Sequence, residues 1–146
     1  MRHILDAADY FIPHGSDRIA AMANIASLLY YSLPDVNWCG FYRRIGDVLV
    51  VGPFQGKPAC IEIPIGRGVC GHAAFNKRTL IVPDVAQFVS HIACDPASRS
   101  EIVVPLIESE CVVAVLDLDS PITARFTKTE ALLLERIAMM IVERTK

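Results

Sequence analysis

The spacing of apolar positions changes along the chain, and each change predicts an element. In "SDRIAAMANIASLLYYSL" the residues Ile19, Met22, Ile25 and Leu29 recur at helical spacing. This predicts a helix with Ser16 as N-cap that stops at Pro34-Asp35. The period then shortens to two. "NWCGFYRR" and "DVLVVGPF" alternate across Ile45-Gly46 and predict a hairpin. "PACIEIPI" predicts a third strand that contains Cys60. "GRGVCGHAAFNKR" reads as a glycine-rich turn entering a short helix, and "TLIVPDV" as a brief strand that ends at Pro83. Two longer strands follow, "EIVVPLIE" and "ECVVAVLDLD", joined by a tight turn near Glu108-Ser109. The chain closes with a helix opened by Thr127-Lys128-Thr129-Glu130, a capping-box spacing, whose buried face carries Leu134, Ile137 and Ile141. Residues 1–15 give no clear pattern and are left as an N-terminal tail.

Helix, strands, short helix, strands and helix, in that order, predict an α+β fold: an antiparallel sheet with helices packed against it. A length of 146 residues suits one domain with a real core, spanning 1–146. Net charge is −2, and no basic run exceeds Arg43-Arg44. The electrostatic footprint for nucleic acid or an anionic membrane is therefore absent. Asp6 and Asp9 interrupt any secretory core in "MRHILDAADYF", and the longest apolar run, "CVVAVL", is far short of a bilayer span. The expected location is the cytoplasm. There, five cysteines argue against a structural disulfide framework and toward redox chemistry, metal binding or simple burial.

Cys39, beside Trp38, and Cys111, at the head of an apolar strand, read as packing residues. Cys70 differs because glycines flank it and a helix starts there, which would favour the thiolate. Cys94 lies in the polar stretch "SHIACDPASRSE" between apolar strands. Each is as compatible with an inert thiol as with a reactive one. A competing reading takes Cys70, His72, His91 and Cys94 as zinc ligands, although no C-x-x-C or zinc-knuckle spacing supports it.

In "VVAVLDLD" the residues Val113, Val115, Asp117 and Asp119 share one strand face, and Glu101 opens the neighbouring strand. If the three acids cluster, their repulsion raises at least one pKa and leaves a proton to donate. If they sit at a solvated sheet edge, they do nothing of the kind. Trp38 and Tyr42 also share a face, either as core or as an aromatic wall for a small ligand.

Taken together, "NWCGFY", "GPFQGKPACIEIPIGRGVCG", "VPDV", "HIACDPASRSEIVVP" and "VLDLDSP" resemble the free methionine-(R)-sulfoxide reductases, which are single GAF domains. The resemblance runs from Pro34 to the C-terminus. It implies a six-stranded antiparallel sheet flanked by helices, and reduction of free L-methionine-(R)-sulfoxide with thioredoxin as reductant and no cofactor or metal. It also implies three participating cysteines: Cys94 as nucleophile, Cys70 as main resolving partner and Cys60 as an accessory thiol. The substrate residues it implies are Trp38, Tyr42, Glu101, Asp117 and Asp119. A homodimer is compatible with it. The alternative is a GAF module that senses a ligand or redox state without turnover.

Overall fold

The computed structural model describes residues 1–89, 92 and 94–146. Four helices, α1 (Arg2–Phe11), α2 (Arg18–Ser32), α3 (Gly68–Asn76) and α4 (Lys128–Arg144), accompany six strands. The strands are β1 (Trp38–Ile45), β2 (Val48–Gly56), β3 (Glu62–Pro64), β4 (Leu80–Val82), β5 (Ser100–Glu108) and β6 (Cys111–Ser120). They form one sheet in the order β3-β2-β1-β6-β5-β4, and every neighbouring pair is antiparallel. The expected architecture is the one observed.

Alternation sorts side chains onto the two faces of this sheet. Cys39, Phe41, Ile102, Val104, Leu116 and Leu118 point to one face, where α1, α2 and α4 cover them. Trp38, Tyr42, Val103 and Val115 point to the other, which α3 and the loops around it cover. The functional question concerns this second, more thinly covered face.

Local chemistry sets the element ends. The Asp17 carboxylate, not Ser16, caps α2 by accepting from Ala20 N at 2.9 Å. The predicted stripe is displaced accordingly. Met22, Ile25 and Leu29 are buried, but Ile19 is exposed on the solvent side. The capping box of α4 is formed as expected: the Thr127 hydroxyl accepts from Glu130 N, while Thr127 N–H donates to the Glu130 carboxylate. Leu134, Ile137 and Ile141 are fully buried beneath α4. The tail assigned no structure contains α1, whose Ile4 and Ala8, with Ile12 at its C-cap, fall one turn apart and are buried.

Three further details differ from the sequence expectation. The hairpin turn uses Gly46-Asp47, with Gly46 in the left-handed region, and the β5–β6 turn uses Ser109-Glu110, both left-handed. β3 is only three residues long, so Cys60 lies in the loop before it. Finally, the β5–β6 register shifts between Leu106 and Ile107, which turns Val113 toward the α4 face, away from Val115 and Asp117.

Candidate active site

A pocket opens on the α3 face at the ends of β1 and β6. Its lining includes Trp38, Tyr42, Cys70, Cys94, Glu101, Asp117 and Asp119. Seven of the eight site residues expected from the sequence therefore meet in one cavity. The eighth, Cys60, is covalently bound to one of them.

Strand register explains the convergence. Trp38 pairs with Asp119, Gly40 with Asp117 and Tyr42 with Val115 across β1–β6. Glu101 pairs with Asp119 and Val103 with Asp117 across β5–β6. Glu101 and Asp119 are thus immediate cross-strand neighbours, with Asp117 one step along the same face. The glycine opposite Asp117 matters. A Cβ on Gly40 would lie 2.2 Å from Phe54 Cβ, so only glycine lets β2 bring Phe54 against the site.

The aromatic wall is a stack of three. Trp38 lies 5.8 Å from Tyr42 and 5.2 Å from Phe54, centroid to centroid, at small interplanar angles. Both polar tips reach the loop between β2 and β3. Trp38 Nε1–H donates to Lys57 O and Tyr42 O–H donates to Cys60 O, each at 3.1 Å. The wall therefore also positions the backbone that carries Cys60.

Cys60 and Cys94 form a disulfide with Cα atoms 5.5 Å apart, which spans 34 positions of sequence. The expected pairing of Cys94 with Cys70 is not the one present. Cys70 remains a thiol in the first turn of α3, buried, with Sγ 3.9 Å from Glu101 Oε2. The expected thiolate at this helix start is also corrected. Burial pushes the Cys70 thiol well up, and Asp117, Glu101 and Asp119 push it further. The flanking glycine has a packing role, since a Cβ on Gly71 would lie 2.5 Å from Pro64 O. Gly71 thus lets α3 pack close to β3. Among the other cysteines, Cys39 is buried core as expected, whereas Cys111 is exposed.

The acids are the electrostatic centre. Glu101 and Asp117 are 6% and 5% exposed, and Asp119 is half-buried. No Lys, Arg or His lies among the described lining residues. Desolvation is the main cause that raises all three. It brings Asp117 to about 6, and the charge of Asp117 adds to the rise at Glu101 and Asp119. The Asp117 Oδ1 atom is buried without a hydrogen-bond partner among the described residues. Such a site suits a cationic group that would supply the missing donors.

The zinc reading does not fit this geometry. Cys94 is in the disulfide, His72 Nδ1 lies 2.7 Å from Gly68 O, and His91 is outside the described residues. A different trio, Cys70, Glu101 and Asp117, has ligand-type atoms within 4.8 Å of one another. Its thiol and at least one acid would have to lose protons to bind a cation.

Sequence reasoning missed several lining residues: Pro58, Ala59, Ile63, Val69, Ile92, Asp95 and Ser98. Asp95 and Ser98 belong to the same polar stretch as Cys94, and that adjacency was the available signal. Phe54 could have been found from the alternation of β2, which places it beside Trp38.

Residues 17–143 match the family model described as GAF domain. That match spans most of the chain, and with the six-stranded antiparallel sheet flanked by helices it places the chain in that class. It is 52% identical over 109 residues to the free methionine-R-sulfoxide reductase of Escherichia coli, covering 75% of this chain and 66% of that protein. It is 40% identical over 131 residues to the Saccharomyces cerevisiae protein of the same name, covering 84% of this chain and 73% of the relative. The Neisseria meningitidis free methionine-R-sulfoxide reductase, solved in complex with its substrate, superposes with a TM-score of 0.94 at 41% identity, covering 98% of this chain and 86% of that one. The chain belongs to the free methionine-R-sulfoxide reductase family of GAF domains.

Proposed function

We propose that this protein reduces free L-methionine-(R)-sulfoxide to L-methionine with Cys94 as the attacking thiol. The observation that carries this reading is the Cys60–Cys94 disulfide at an acid-lined pocket with an aromatic wall. One part of the site suits each part of the substrate. Asp117, the least raised of the three acids, pairs with the α-ammonium. Trp38 and Tyr42 flank the methyl sulfoxide. Glu101 and Asp119, whose pKa values burial and the Asp117 charge push well up, are the proton source.

The chemistry balances with thiols alone. The Cys94 thiolate attacks the sulfoxide sulfur while a carboxyl group protonates the oxygen. Oxygen passes to Cys94, which becomes a sulfenic acid, and methionine leaves with its sulfur reduced by two electrons. The Cys60 thiol then attacks the Cys94 sulfur, expelling water and forming the disulfide. Thioredoxin, as a dithiol, reopens this bond and becomes oxidised in turn. This gives Cys60 the resolving role first expected of Cys70, and leaves Cys70 as a buried thiol facing Glu101.

Thioredoxin is itself part of the proposal, as is a cytoplasmic setting that keeps the reductant supplied. Among the described residues no helix is long and apolar enough to cross a membrane. The test is NADPH consumption in a mixture of this protein, thioredoxin and thioredoxin reductase. Consumption on adding free L-methionine-(R)-sulfoxide, but not the S form, supports the reading. Its absence would favour the sensing module.

A further inference from the structure

Asn37, the residue before β1, joins three parts of the site. Its backbone N–H donates to Asp119 O at 3.0 Å, which sets it beside the acid at the end of β6. Its side-chain Nδ2 donates to Asp95 Oδ2 at 3.3 Å and to Ser98 Oγ at 3.4 Å. Both acceptors belong to pocket-lining residues, and Asp95 directly follows Cys94.

The segment held in this way is a compact turn. Asp95 Oδ1 accepts from Ala97 N at 2.9 Å, and Asp95 O accepts from Ser98 N at 3.2 Å. Asn37 thus grips the turn at both ends, so moving either end moves the whole. The turn enters the sheet where Arg99 N donates to Ser120 O at 2.7 Å.

In the disulfide form, Cys94 is also fixed covalently to the β2–β3 loop. A cycle through a free Cys94 thiol opens that link, and the bonds to Asn37 and Ser120 do not involve it. We propose that Asn37 is a positioning residue that holds the Cys94 turn over the pocket when the disulfide is open. This rests on the assignment of Cys94 as the attacking thiol. Attack requires reacting atoms within about 3–3.5 Å, and a displacement of about 1 Å costs on the order of 10²-fold in rate.

The test combines kinetics with hydrogen exchange. In pre-reduced Asn37→Ala, single-turnover methionine release should fall about 10- to 100-fold. Substrate affinity, measured in a Cys94→Ser background, should change less than about twofold on that substitution, because binding and positioning are separable. Asp95→Ala should lose rate in the same way, and Asp95→Asn, whose single amide oxygen can accept from Asn37 or from Ala97 N but not from both, should recover only part of that loss. Exchange in a peptide covering residues 94–99 should speed up in Asn37→Ala when the protein is reduced, and much less when it is oxidised. Unchanged exchange in the reduced variant would overturn the proposal, as would an affinity loss equal to the rate loss. If the wild-type protein releases no methionine, the functional reading fails, and the exchange comparison still decides whether Asn37 holds the turn.

Discussion

Glu101 stands directly opposite Asp119 in the β5–β6 pairing, with Asp117 beside both and no cation among the described lining residues. Two ionised carboxylates in that position would repel, so folding raises their pKa values and costs stability at any pH where they would otherwise be charged. The folded state raises the Asp117 pKa to about 6, well above a free carboxyl, and raises its two neighbours as well. A group with a raised folded pKa binds its proton more tightly folded than unfolded. Its penalty is therefore fully present above the folded pKa and is relieved as pH falls toward the unfolded value. Thermal stability should rise on acidification from pH 7.5 to about pH 5. Asp117 alone contributes roughly 3 kcal/mol over the full window between its two pKa values. The exposed Glu108–Arg18 pair pulls the opposite way and is weak. Asp117→Asn should flatten the slope in a melting-temperature series. A slope as steep as that of the wild type would place the effect elsewhere.

The same acids make the free amino group a recognition element. Free L-methionine-(R)-sulfoxide brings an ammonium to the unpartnered Asp117 Oδ1, and an N-acetylated or peptide-bound residue does not. Leaving that buried charge unmatched costs about 1–3 kcal/mol. Activity on the acetylated form should be at least about fivefold lower. Asp117→Asn should weaken turnover of the free amino acid and narrow the gap. Equal rates on both substrates in the wild type would show that the acids do not read the ammonium.

Gly40 should tolerate no side chain. The Cβ of Gly40→Ala would meet Phe54 Cβ at 2.2 Å and its Cα at 2.7 Å, and neither can move without shifting β2. The expected cost is about 1–3 kcal/mol, from overpacking against backbone. Because Phe54 stacks on Trp38, the near-ultraviolet circular dichroism of the lone tryptophan should change too. A melting temperature and spectrum like those of the wild type would mean that the strands relax more easily than this packing implies.

Much of this was legible in the sequence because it follows from alternation. Once β6 is read as "VVAVLDLD", Asp117 and Asp119 must share a face, and Glu101 enters the next strand at the matching register. Trp38 and Tyr42 follow from the same rule. What alternation cannot see is the path of a loop. Cys60, Cys70 and Cys94 all lie outside the strands, so which two meet depends on how two loops and α3 cover the sheet. Burial was equally hidden. Flanking glycines and a helix start suggested a thiolate at Cys70, but Gly71 serves to dock α3 on Pro64 O and bury that thiol among acids. Helix α1 was legible too: Ile4, Leu5, Ala8 and Phe11, with Ile12 just past its end, fall at helical spacing and pack on the core, and that pattern was passed over.

The disulfide separates the roles of the cysteines. Cys94→Ser should release no methionine, because the attacking sulfur is gone. Cys60→Ser should release one equivalent and then stall as a sulfenic acid, detectable by dimedone labelling. Cys70→Ser keeps a hydroxyl donor toward Glu101 and should still form the Cys60–Cys94 bond. If Cys70→Ser abolished that bond while Cys60→Ser recycled normally, the resolving role would return to Cys70.

The central claim is that sulfoxide reduction and closure of the Cys60–Cys94 bond are one event. The direct measurement is a single turnover of fully reduced wild-type protein with free L-methionine-(R)-sulfoxide and no reductant, followed by quantifying methionine and mapping disulfides by mass spectrometry. One methionine per protein, matched by one Cys60–Cys94 disulfide and a Cys70 that remains alkylatable after denaturation, is the predicted result. Methionine released with Cys94 still a thiol, or no methionine released while the disulfide forms, would contradict it.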